Sequence, residues 1–220
     1  MLSTKRKTTV NKHKIFNLIV LDESGSMEAI KAATLTGFNE VVQTIQGAQE
    51  QFPGQEHTVT LVTFNGLGIK TILANQPVDR LTPLDPARYV PAATTPLHDA
   101  LGQSLMRLQW LTERETDYTV LVSILTDGAE NASREFSALQ VRAMINRLTQ
   151  RNWSFTYMGA NHDVTTTAAS LSIQTSVRFE ADEQGVKSVF EAERKGRMAY
   201  YEKRSRGLSS REAEEGYYHQ

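Results

Sequence analysis

The sequence predicts an α/β fold: a doubly wound, mostly parallel central sheet with one antiparallel edge strand and helices on both faces. Three observations carry that expectation. Five short segments are apolar at successive as well as alternate positions, as strands buried between two helix layers are. Longer segments with apolar residues every three to four positions alternate with them. One strand is followed almost at once by another, too soon for a parallel crossover.

IFNLIVL (15–21) is the first strand, and residues 26–50 follow it with Ile30, Leu35, Phe38, Val41, Val42 and Ile45 on one helical face. HTVTLVTF (57–64) is the second strand. After Gly66 and Gly68 the chain returns through Ile69 to Leu73, a hairpin that puts an antiparallel strand at the sheet edge. These glycines lack the third glycine and the following helix of a dinucleotide fingerprint, which sets nicotinamide and flavin binding aside. Leu97, Leu101, Leu105, Leu108 and Leu111 predict a helix over 96–111, before the strand DYTVLVSIL (117–125). Phe136, Leu139, Met144, Ile145 and Leu148 predict another over 135–149. WSFTYMGA (153–160) and SIQTSVRF (172–179) complete the strands, and right-handed crossovers join the parallel ones.

Composition narrows the function classes. A chain of 220 residues suits one domain with an appendage. Its 24 basic and 25 acidic residues give no charge excess to attract nucleic acid. The absence of cysteine excludes disulfides, thiolate nucleophiles and cysteine-bound zinc, so any metal must be held by oxygen or imidazole. No stretch approaches the roughly 18–20 apolar residues of a membrane span. MLSTKRKTTVNKHK is positive but lacks the apolar stretch of a signal peptide, so a cytoplasmic location is expected. Residues 1–12 read as a flexible basic tail, with Lys5, Arg6, Lys7, Lys12 and Lys14 as a solvated cluster.

In an open parallel sheet, ligands bind beyond the carboxyl ends of the strands, where connections diverge to opposite faces. Three polar segments converge there: LDESGSM with Asp22, Ser24 and Ser26; AATTPLHDA with Thr94 and Thr95; and LTDGAENAS with Asp127. Singly, each has an ordinary role: Ser26 as a helix cap, Asp127-Gly128 as a turn, Thr95 as a cap before Pro96. Together they carry a cost. Two ionised carboxylates at about 5 Å repel by roughly 3 kcal/mol at an effective dielectric of about 20, so a proton or a cation must intervene. Hydroxyls with water-bridged carboxylates suit Mg²⁺, which keeps some of its waters and takes about six oxygens.

DESGSM (22–27), TTPLHDAL (94–101) and ILTDG (124–128), in that order and on those elements, resemble the von Willebrand factor type A (vWA) domain of the bacterial intracellular type. The resemblance covers residues 13–180. It implies a metal-ion-dependent adhesion site (MIDAS) for Mg²⁺ or Mn²⁺. Ser24 and Ser26 would be direct ligands, Thr95 a ligand shifting between direct and water-mediated contact, and Asp22 and Asp127 mainly water-mediated partners. Thr95, directly before proline, matches the pattern better than Thr94, although Ala92 and Ala93 stand where the family has glycine. The implied function is non-catalytic: a partner protein completes the metal's coordination with a Glu or Asp carboxylate. The partner class implied is an AAA+ ATPase or a stress-response component, with no role for nucleic acid or membrane.

Two rival readings remain at this level. Asp22 as a phosphoryl acceptor resembles haloacid-dehalogenase-like phosphatases, but their second aspartate, two residues on, is here Ser24, which cannot serve as acid and base at neutral pH. A scaffold that uses no metal is the other. His98 and His162 read as ordinary helix-end residues, with Asp163 a cap. Residues 181–220 form a charged, partly helical extension. Val186, Val189, Phe190, Arg197 and Tyr201 share one helical face, which reads first as docking back on the domain and second as binding a partner, and Ser209 and Glu212 stand at capping-box spacing. The final segment is expected to be mobile unless bound.

Overall fold

The computed structural model describes residues 12–218. Lys5, Arg6 and Lys7 of the basic cluster lie outside them. The described chain runs β1 (His13–Asp22), α1 (Lys31–Gln51), β2 (Gln55–Asn65), β3 (Gly68–Pro77), α2 (Leu97–Thr112), β4 (Tyr118–Thr126), α3 (Ala138–Thr149), β5 (Trp153–Gly159), α4 (Val164–Ser170), β6 (Thr175–Arg178), α5 (Glu183–Ser205) and α6 (Ser210–Glu214). The sheet order is β3-β2-β1-β4-β5-β6, antiparallel only at the β2–β3 edge pair. This is the doubly wound sheet with an antiparallel edge that the sequence predicts.

The central strand shows why its middle is apolar apart from Asn17. Ile15, Ile19 and Leu21 face a core shared with α1, α5 and α6, while Phe16, Leu18 and Val20 face a second core shared with α2, α3 and α4. A strand with helices on both sides has no solvent face on which to place polar residues. The connection leaving β1 crosses to the first face and that leaving β4 to the second, so the gap between their carboxyl ends is the topological switch point of the sheet.

Several boundaries differ from expectation. The helical segment after β1 opens with a 3-10 turn, Gly25–Ile30, before α1 begins at Lys31. β3 runs to Pro77, beyond Leu73, with bulges in its pairing to β2 around Leu61. Lys14 is no part of a free tail: it lies in β1 and pairs with Glu115 at 2.7 Å. The final segment is packed as well, with Ser209 and Glu212 forming a reciprocal capping box and Tyr217 in the core at 2 % exposure.

Helix α5 docks back on the domain along the face of Val186, Val189, Phe190, Arg197 and Tyr201, as its spacing predicts, and so a charged sequence becomes a core element. It lies against α1 so closely that a Cβ on Gly37 would fall 2.1 Å from the Phe190 ring. Its charge is paired internally. Arg197, fully buried, donates to Asn17 Oδ1 on β1 (2.8 Å), Ser123 Oγ on β4 (2.7 Å) and Glu193 Oε1 one turn earlier (2.7 Å). Glu193 also accepts from Ser123, Tyr217 and Tyr218. Apart from Arg197 Nε, which meets no partner among the described residues, the pair's donors and acceptors are satisfied, as burial of charge demands.

Arg197→Ala would leave Glu193 without its cation in a dry site, an arrangement that costs about 3–5 kcal/mol. Urea denaturation followed by circular dichroism is expected to show a loss of that size. A change below about 1 kcal/mol would mean that the network contributes little to holding α5.

Candidate metal centre

Each predicted side chain is delivered by a strand tip or by a loop tied to one. β1 ends at Asp22, whose Oδ1 accepts from the Ser24 backbone N–H at 2.7 Å, bending the chain immediately into a turn. Its Oδ2 accepts from Thr126 Oγ1 on the adjacent β4 at 2.6 Å. One carboxyl thus fastens the turn to its own strand and that strand to its neighbour. Buried Met27 anchors the turn from below, and its N–H donates to the Ser24 carbonyl.

The turn aims its hydroxyls together. Ser24 Oγ and Ser26 Oγ stand 3.3 Å apart, and Ser26 Oγ donates to Asp127 Oδ1 at 2.6 Å. Asp22, Ser24, Thr95 and Asp127 are buried, while Ser26 is exposed, so the cluster opens to solvent on one side. Neither Ser26 nor Thr95 serves as the helix cap that would have explained it locally. α1 starts beyond Ser26, α2 starts at Leu97, and the N-terminal amides of α2 are met by Glu130 and Ser133 instead.

The two threonines point apart. Thr94 Oγ1 lies against the β2–β3 turn, 2.2 Å from where a Cβ on Gly66 would sit, a contact only glycine permits. Thr95 Oγ1 lies 3.5 Å from the corresponding point on Gly128, next to Asp127. Thr95 is held there from both sides: its N–H donates to Asn131 Oδ1 and its carbonyl accepts from the Asn131 N–H.

Several supporting residues escaped sequence reasoning. Tyr89 OH donates to the Asp22 carbonyl at 2.5 Å, and buried Glu23 accepts from the Val90 N–H and from Lys70. Backbone bonds from Gly25 N to Ala93 O and from Ala92 N to Glu23 O join the first loop to the second. Asp99 accepts from three successive amides, those of Arg134, Glu135 and Phe136, which fixes the loop after β4 to α2. The only signal in the sequence was the density of polar residues in DES, LHD and GAENAS.

Burial pushes Asp22 up to about 6, against the pull of its bonds to Thr126 and Ser24, and the nearby Asp127 adds to the rise. Burial likewise raises Asp127, opposed by Ser26. Burial thus holds both acids above the ordinary carboxylate range, and a cation beside them would favour their ionised forms. The donor chemistry fits a hard divalent cation. Among the described residues no three His, Asp or Glu side chains gather to hold a metal, so hydroxyls must supply much of any coordination. Adjacent oxygens around Mg²⁺ are about 2.9 Å apart, given bonds of about 2.0–2.1 Å, and the two serine oxygens already approach that spacing.

No protein-family model and no curated protein matches the sequence. Solved structures do match by shape. The SpRpn10 VWA domain is 9% identical with a TM-score of 0.54, over 80% of this chain and 93% of that one. Proximal thread matrix protein 1 from the mussel byssus, with a zinc-occupied MIDAS motif, is 13% identical with a TM-score of 0.53, over 83% and 45%. The PilB minor pilin from Streptococcus sanguinis is 12% identical with a TM-score of 0.58, over 85% and 62%. This chain therefore spans less than two thirds of the last two proteins. Its fold is vWA-like, an α/β Rossmann-like sheet of the arrangement described above.

The Asp22 shift has a consequence for stability. A carboxyl whose folded pKa, about 6, exceeds its ordinary value of 3.8 stabilises the fold most fully below 3.8, and that contribution is lost as pH rises through 6. The shift corresponds to at most about 3 kcal/mol. Asp22→Asn keeps an acceptor for the Ser24 N–H, and its amide N–H can donate to Thr126 Oγ1 once that hydroxyl turns to the Gly128 carbonyl, 3.0 Å away. In EDTA, the melting temperature relative to wild type is expected to be higher for Asp22→Asn at pH 8 than at pH 4. A difference that does not change with pH would mean that Asp22 is not held protonated by burial.

Proposed function

We propose that this chain is a non-catalytic protein-binding module that docks an acidic side chain of a partner protein through a divalent metal, Mg²⁺ or Mn²⁺, at a MIDAS. The observation that carries this reading is the convergence of Ser24, Ser26 and Asp127 oxygens at an opening backed by the buried Asp22. In this reading Ser24 and Ser26 hold the ion directly, Thr95 directly or through water, and Asp22 and Asp127 mainly through water. Because the nearest protein ligands are neutral hydroxyls, the bound ion would keep enough positive charge to attract a partner's Glu or Asp carboxylate. A vWA-like neighbour with a zinc-occupied MIDAS supports the same arrangement.

Rigidity supports docking over chemistry. Asp22 has no exposed surface for a phosphoryl group to approach, and the residue two positions on is Ser24 rather than an acid. The residues around the opening are fixed by backbone bonds between loops, which favours a site that presents an ion without rearranging. A bacterial cytoplasmic setting, with an AAA+ ATPase or stress-response component as partner, is the biological context we propose from the vWA resemblance. No helix among the described residues is long and apolar enough to cross a membrane.

Calorimetric titration with Mg²⁺ and Mn²⁺ tests the metal step. Wild type is expected to give saturable heat, and Ser24→Ala/Ser26→Ala to bind more than about 10-fold more weakly. Affinity capture in Mg²⁺ and in EDTA tests docking: a partner retained only with the metal and lost with the double variant is the expected outcome. Absence of heat in wild type would sink the metal reading, and metal-dependent turnover of phosphate esters that Asp22→Ala abolishes would replace it with catalysis.

A further inference from the structure

On the sheet face that carries α2, a cavity of about 460 Å³ opens between the β2–β3 edge strands and α2. Its origin lies in the edge pairing. The β2–β3 register shifts on both sides of Leu61, and Asn75 turns through a left-handed conformation (φ 45°) with its N–H donating to Thr60 Oγ1. Bulges of this kind bend a strand away from a flat sheet. The hollow they leave is within the size range of small-molecule sites.

Its walls combine features that are independent of the metal centre. Val62, Ile69, Leu108 and Leu111 make it apolar, and Trp110, three-quarters exposed, stands at its side. Arg107 is the one charged residue of the lining; its guanidinium donates to Thr71 Oγ1 at 3.1 Å and has no carboxylate partner among the described residues. Two further lining residues carry buried polar atoms without a hydrogen-bond partner, Ser104 Oγ on α2 and Asn75 Oδ1 on β3.

We infer that this cavity is a second binding site, for a free small carboxylic acid with an aryl or alkyl body. The apolar walls and Trp110 take the body, and Arg107 takes the carboxylate through charge-assisted bonds. A pit with one cation and no acid selects against amines and leaves neutral molecules weaker than acids.

The test uses 3-phenylpropionate, its neutral amide 3-phenylpropionamide, and the peptide Gly-Gly-Phe, each titrated into the full chain in EDTA, where a metal centre takes no part. Amide and indole N–H resonances are followed by NMR. The acid is expected to bind saturably with a Kd on the order of 1 mM, as suits a ligand of its size. The shifts should centre on Trp110 and Ser104. The amide, and the acid with Arg107→Gln, are each expected to bind about 10-fold more weakly. Arg107 is exposed, so this variant leaves the core intact. No saturation at those resonances up to about 20 mM would overturn the site, since it would place the affinity well below that size-based expectation. Equal binding of acid and amide, or an unchanged Arg107→Gln, would overturn the ligand class. Tighter binding of Gly-Gly-Phe would assign the cavity to chain termini and overturn the free-acid inference.

Discussion

Everything at the open end of the sheet depends on where the Asp22 carboxyl is held. Its two oxygens receive the Ser24 N–H and the Thr126 hydroxyl, so a single buried group sets the turn after β1 and locks it to β4. The turn then has one conformation in which Ser24 and Ser26 face Asp127. Burying an acid without a cation is unfavourable, and the rise of Asp22 to about 6 is the sign of that cost. The fold tolerates it because the surrounding bonds leave the loop no alternative: Tyr89 holds the Asp22 carbonyl, and Gly25 and Ala92 tie the turn to the threonine loop. A divalent cation beside these oxygens would offset that cost.

The legible part of this arrangement was periodic or positional. Strands apolar on both faces, such as IFNLIVL with its single Asn17, read as central strands of a covered sheet, and the closeness of Ile69 to Phe64 admits only a hairpin. Asp22, Ser24, Ser26, Thr95 and Asp127 were legible because each sits where a strand stops or a helix is about to start. Supporting residues were not, because their roles depend on contacts across long sequence separations. Tyr89 reaches Asp22 across 67 positions and Asn131 reaches Thr95 across 36, with nothing local to mark either.

Helix α5 illustrates the same limit. EADEQGVKSVFEAERKGRMAYYEKRSRG shows a docking face that includes Arg197, yet nothing local marks Glu193 as buried beside it. The clue was present on the other side of the contact. Asn17 within IFNLIVL and Ser123 within DYTVLVSIL are polar interruptions in strands that should have none, and both bond to Arg197. A polar residue in the middle of a doubly covered strand implies a polar group on the helix above it. The two helix layers therefore differ in kind: one is sealed around an ion pair, the other is apolar and leaves a cavity at the sheet edge.

These elements meet in one claim, that the oxygens gathered beyond β1 and β4 form a metal site. Anomalous diffraction from a crystal soaked in Mn²⁺, recorded at the manganese edge, tests it most directly. The expected result is a single strong peak within about 2.5 Å of Ser24 Oγ and Ser26 Oγ, with Asp22 farther off behind water. A crystal with no peak at these residues, or with its only peak elsewhere, would contradict it.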